Sequence, residues 1–105
     1  MFFLMQARHH PDMDATRDAL RPAHRDWNRS GGNGMVSVLT GSALWAPDGT
    51  PIGHWGIVEA PGLAEVEAYG AGDPFVSGGV VAELSFTRMA DGFAADRIHP
   101  RMTAG

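Results

Sequence analysis

Among the residues of this chain that can move a proton, His24 and Asp73 stand out by type and position. An imidazole titrates near neutrality, at about 6.5 when unperturbed, and a carboxylate beside it fixes the ring tautomer and favours the imidazolium. Arg8 and Arg21 are placed to hold an anionic substrate group near such a pair. Ser42, in the Gly41-Ser42 segment, is a further candidate for substrate contact. Spacing alone leaves two readings open. A lone histidine on a helix face between Leu20 and Trp27 is either a proton-transfer group or a packing residue, and Asp73 before Pro74 is also a common turn residue. Other constellations carry less. His9-His10 with Asp12 resembles a metal-ligand set, but adjacent histidines leaving a strand point in different directions, so the segment reads as a solvated loop and no metal is expected. His54 reads as core or interface, and His99 has no recognisable partner. Ser42 lacks a G-x-S-x-G elbow, and Gly31-Gly32-Asn33-Gly34 follows a helix instead of opening one, so neither a serine triad nor a phosphate loop is present and no cofactor is expected.

These residues are positioned by a simple series of elements. Phe2 to Arg8 reads as a strand buried on both faces over its first half, ended by Pro11. Asp12 to Arg29 reads as helix, with Leu20, Ala23, His24 and Trp27 on one face and Arg17, Arg21, Arg25 and Asp18 mostly on others. Pro22 predicts a short turn first and a main helix starting near Arg21. Met35 to Trp45 and Ile52 to Ala60 are strands joined by the turn Ala46-Pro47-Asp48-Gly49-Thr50. A second helix runs from Pro61 to about Ala71, Gly72-Asp73-Pro74 stops it, and Val80 to Met89 is the last strand. The order β-α-β-β-α-β predicts an α+β ferredoxin-like fold, an antiparallel sheet with both helices on one face. Right-handed crossovers then bring the end of the first strand, the start of the first helix and the end of the second helix to one edge. His24 and Asp73 converge there, and Arg8, His9 and Gly41-Ser42 approach the same edge.

The chain has 105 residues, a hydrophobic fraction of 44% and a formal net charge of −4, enough for one domain with a real core. Residues 1–90 form that domain, and 91–105 read as a tail, disordered or wrapping a partner subunit. All eight basic residues are arginines, and the acidic balance excludes a basic nucleic-acid-binding surface. The apolar start, Met1 to Met5, is too short for a signal segment or a membrane span. With no cysteine in the chain, a disulfide framework and a thiolate nucleophile are excluded, and the protein reads as cytoplasmic.

Arg21-Pro22-Ala23-His24, Leu39-Thr40-Gly41-Ser42, the Pro47-Asp48-Gly49 turn, Gly53 and Ala71-Gly72-Asp73-Pro74-Phe75 together resemble the YCII-related (YciI-like) family over residues 2 to 90. The resemblance implies a homodimeric ferredoxin-like α/β barrel in which the sheets of two subunits pack together. It also implies an active site built on a His–Asp pair, here His24 and Asp73. Relatives include a dehydrochlorinase of chlorinated hydroxyquinol breakdown, which implies elimination or proton-transfer chemistry on a small anionic or aromatic molecule. The family's usual Gly-Pro after the second strand is Gly41-Ser42 here, and the Gly31-to-Gly34 connection is unusually glycine-rich. The rival readings are a non-catalytic dimeric ligand-binding or accessory module and a cofactor-free monooxygenase, the latter with no distinctive residue to support it.

Overall fold

The structure, a computed structural model, describes residues 1–104. Its elements are β1 (Phe2–His9), α1 (Asp14–Gly34), β2 (Ser37–Trp45), β3 (Pro51–Glu59), α2 (Leu63–Gly72), a one-turn helix α3 (Pro74–Ser77) and β4 (Val81–Arg88). The four strands form one sheet in the order β2-β3-β1-β4, antiparallel at every pairing, which is the expected ferredoxin-like arrangement.

Strand parity determines what each residue can reach. In β1 the residues Phe3, Met5, Ala7 and His9 are buried beneath the helices, while Gln6 and Arg8 are exposed on the opposite face. Val58 of β3 and Val66 and Tyr69 of α2 are fully buried against Phe3 and Met5. Each such aliphatic or aromatic side chain contributes about 1.5–3 kcal/mol by leaving water. In β2 the register shifts between Val38 and Thr40, so Leu39 is an extra, buried residue. Beyond that bulge Ser42 pairs with Trp55 and Ala43 with His54.

α1 runs through Pro22 without a break, and Pro22 and Asp18, whose carbonyl loses its amide partner, both lie on the exposed side of the helix. The helical backbone ends where the glycine run begins: Gly31, Gly32 and Asn33 all have φ near +60°. Gly31 is required there, since a Cβ would stand 2.0 Å from the Val36 carbonyl oxygen.

Residues 91–104 have a defined course. Phe93 packs edge-on against Phe2, and Arg101 ion-pairs with Glu59 at 2.7 Å. The Met102 and Thr103 amides then donate to Leu39 and Val38, and the Thr103 hydroxyl accepts from the Val38 amide at 2.7 Å. The segment thus lies on its own protomer along the β2 edge; its last residue, Gly105, is outside the described residues.

Candidate active site: a histidine network over a cavity

His24 and Asp73 meet. His24 Nδ1 lies 2.7 Å from Asp73 Oδ1, with both side chains largely buried. Each is held from a second direction. Asp73 ends α2 and begins α3: its Oδ1 also accepts the Phe75 amide at 2.9 Å, and Pro74 follows in the first turn, where its missing N–H costs nothing. Phe75 then stacks on the His24 ring, with centroids 4.0 Å apart and planes 3° from parallel. The Asp-Pro-Phe run therefore supplies the carboxylate, the cap that aims it and the surface that fixes the imidazole plane.

On the far side of the ring, Asn28 Nδ2 lies 3.2 Å from His24 Nε2, and the Tyr69 hydroxyl bonds to Asn28 Oδ1. Burial first, and then the Asp73 charge, push the Tyr69 hydroxyl well above its ordinary range, so it keeps its proton and donates. Asn28 must then present its N–H to His24, which leaves His24 Nε2 as the acceptor and Nδ1–H as the donor to Asp73.

A second chain runs beside the first. Arg17, buried at the start of α1 and ion-paired to Asp14, donates to His9 Nδ1 at 3.3 Å, and His9 Nε2 lies 2.7 Å from His54 Nδ1. His9 is lowered to about 4, by burial above all, then by the Arg17 and His24 charges, against a weaker upward pull from Asp73. His54 is lowered to about 4 by burial, then by His24, with Asp73 opposing and His9 adding to the shift. The His54 ring stands 5.2 Å from that of His24, centroid to centroid.

These rings line a cavity of about 550 Å³ between α1 and the β2–β3 half of the sheet. Arg17, Arg21, Arg25 and Arg29, four residues apart along α1, border it, as do the apolar Trp45, Pro51, Phe75 and Met102. Arg21 and Arg29 are ion-paired to Asp18 and Asp26 at 2.7 and 3.9 Å. Arg25 has no ion-pair partner among the described residues.

The proposed substrate contacts separate. Arg21 borders the cavity with His24. Arg8 does not: it follows the exposed parity of β1, on the opposite face of the sheet, and pairs with Glu83 at 3.2 Å. Ser42 borders the cavity, but it is paired with Trp55 on the helix-free face, and its hydroxyl donates to the Ala43 carbonyl at 2.8 Å. Two sequence readings need correction. His9 is not in a solvated loop; it ends β1 on the buried parity, while His10 is exposed. Arg17 and Arg21 are not on outer faces of α1, since Arg17 is buried and Arg21 half-buried beside His24, whereas Arg25 is exposed as read. His54 is buried, as read, and its ring also lines the cavity, while Asn28 and Tyr69 hold the far side of His24. The alternation Phe3, Met5, Ala7, His9 carried the signal for His9, and that of His54 with Val58 the signal for the burial of His54; Asn28 and Arg17 had none without the packing.

One ring nitrogen each from His24 and His54 and an oxygen of Asp73 lie within 4.8 Å of one another, close enough to share a metal ion. Asp73 Oδ1 and His24 Nδ1 are already committed to each other, and His24 Nε2 to Asn28, which leaves Asp73 Oδ2 and His54 Nε2 as the uncommitted ligand atoms.

The fold and site define a ferredoxin-like α+β domain with a His–Asp pair at the wall of a small-molecule-sized cavity. The chain belongs to the YCII-related domain family, whose model matches residues 1–90. Among solved structures it is similar to 5-chloro-2-hydroxyhydroquinone dehydrochlorinase from Burkholderia phenoliruptrix AC1100 in complex with 2,5-dihydroxybenzoquinone, with a TM-score of 0.74 and 23% identity over 88% of this chain and 96% of that one. It is also similar to Rv0793 from Mycobacterium tuberculosis, with a TM-score of 0.52 and 16% identity over 90% of this chain and 100% of that one. At these identities the likeness is one of fold. No curated protein matches the sequence.

Proposed function

We propose that this protein is a small-molecule enzyme in which His24 takes up and returns a proton in elimination or proton-transfer chemistry, with Asp73 holding the ring. The carrying observation is the 2.7 Å His24–Asp73 bond on the wall of a 550 Å³ cavity. In an elimination, His24 Nε2 removes a proton from carbon, the C–H pair forms the new π bond, and the leaving group departs with its electrons. The imidazolium is stabilised by Asp73. The Asn28 N–H on Nε2 is a long contact, 3.2 Å, which an incoming substrate displaces. Arg21 and Arg25 suit an anionic group, and Trp45, Pro51 and Phe75 suit an aromatic ring, so the substrate class is a small anionic or aromatic molecule. The activity of the similar dehydrochlorinase supports this reading by analogy of fold.

A homodimer belongs to the same proposal. The helix-free face carries half-buried Leu4, Trp55 and Ile57 and the exposed Leu44, so a second copy of the sheet would cover apolar surface. A cytoplasmic location is proposed from the lack of cysteine; among the described residues no helix is long and apolar enough to cross a membrane. One observation favours the rival reading, a non-catalytic ligand-binding module: both ring nitrogens of His24 are already bonded within the protein.

The test is turnover of small phenolic and quinol acids, followed as deuterium exchange from solvent into carbon or as release of a leaving group. His24→Ala and Asp73→Asn are expected to lower the rate by two to four orders of magnitude, on the order of 10²–10⁴, with the fold intact by circular dichroism. Unchanged exchange in a folded His24→Ala protein refutes the enzymatic reading; a lowered melting temperature with retained ligand binding and no turnover in any variant supports the module.

A further inference from the structure

The Arg17–His9–His54 chain has one direction. A guanidinium only donates, so His9 Nδ1 must accept from Arg17, and the single proton of a neutral His9 is on Nε2. That proton is given to His54 Nδ1 at 2.7 Å, so a neutral His54 carries its own proton on Nε2. The low affinity of both rings for a second proton keeps them neutral near pH 7. His54 Nε2 has no hydrogen-bond partner within the protein, yet no buried side-chain nitrogen or oxygen among the described residues lacks one, so this atom opens on the cavity that His54 lines.

We propose that His54 is a substrate-binding residue, its Nε2–H donating to an oxygen carried by the substrate next to the carbon from which His24 removes a proton. The substrate class is thereby narrowed to oxygenated rings, phenols or enolisable ring ketones, with the acidic group facing the α1 arginines. A neutral imidazole suits this role, because it donates without taking the proton that His24 must move, and its preset orientation costs no reorganisation as charge develops on the oxygen. Arg17 and His9 are positioning residues that act through His54. This inference rests on His24 as the base, but its donor can be tested separately.

Histidine nitrogen NMR of the whole protein at neutral pH reads the tautomers directly. His9 and His54 are expected as Nε2–H tautomers; an Nδ1–H tautomer at His54 overturns the proposal. Arg17→Met is expected to mix the tautomers of both rings, and Arg17→Lys, which keeps a donor, to restore them. Unmixed tautomers in Arg17→Met overturn the positioning role. Calorimetry then compares 2,5-dihydroxybenzoate with benzoate, which differ only in ring oxygens. Wild type is expected to prefer the hydroxylated acid by roughly tenfold, the effect of one hydrogen bond at a neutral donor, and His54→Phe to lose that preference. A preference retained in His54→Phe, no preference in wild type, or no binding of either acid at millimolar concentration overturns the assignment. His24→Gln is expected to keep the preference, so loss of turnover there with intact discrimination separates the base from the donor.

Discussion

Two buried neutral histidines should make the protein acid-sensitive well above the range where its carboxylates titrate. Unfolding returns His9 and His54 from about 4 to the ordinary 6.5. Between those values the unfolded chain binds protons that the folded chain refuses, so stability rises with pH through this window and is lost as pH falls below 6.5. Above 6.5 neither state is protonated and the two rings cost nothing. At about pH 5 each ring lowers stability by about 2 kcal/mol, and the pair by about 4 kcal/mol. That is a large share of the roughly 5–15 kcal/mol holding a typical domain together. The groups facing the pair are Arg17, His24 and Asp73, and the Asp73 charge opposes the shift without outweighing burial. The assay is urea unfolding at fixed protein concentration, at about pH 7.5 and pH 5, for wild type and His54→Asn. The variant is expected to start less stable, having lost the His9 contact, but to lose about 2 kcal/mol less on acidification. The carboxylates are common to both proteins, so the comparison isolates the His54 ring. Equal losses in the two proteins would show that His54 is not a buried neutral ring, and the tautomer argument would fall with it.

Two other perturbations probe the surroundings of the site. Gly72→Ala places a methyl 2.5 Å from Cζ2 of Trp27, whose indole N–H is tied to the Tyr69 carbonyl at 3.0 Å, so the ring cannot easily yield. A loss of about 1–3 kcal/mol is expected in urea unfolding, and an unchanged midpoint would contradict the packing. Arg25→Gln removes the one cavity arginine without an ion-pair partner among the described residues. It is expected to weaken benzoate binding by about three- to tenfold and to flatten its dependence on salt, both read by calorimetry.

Much of this architecture is legible in one dimension, and the limits are instructive. The order of elements and the convergence of His24 with Asp73 follow from hydrophobic periodicity and the handedness of crossovers, which depend on local backbone sterics. Even the fates of Arg8 and His9 were written in the alternation of β1: once Phe3, Met5 and Ala7 face the helices, Arg8 must face away and His9 inward. The Ser42 environment was not legible, because the extra residue at Leu39 reverses the parity of every later β2 position, and a bulge has no distinctive composition. The inner face of α1 was read only in part: Leu20, His24 and Trp27 lie on it as expected, but so do Arg17, Arg21 and Asn28, and hydrophobicity is blind to a polar stripe whose partners come from other elements.

The sequence by itself therefore determined the ferredoxin-like order, the family and the His24–Asp73 pairing. Only the tertiary structure decided that Asn28 and Tyr69 hold one side of His24 and that His54, set by His9 and Arg17, stands on the other. Periodicity reports which face of each element leaves water. Hydrogen-bond direction depends on which atoms of distant segments come within about 3 Å of one another, and no local pattern encodes that.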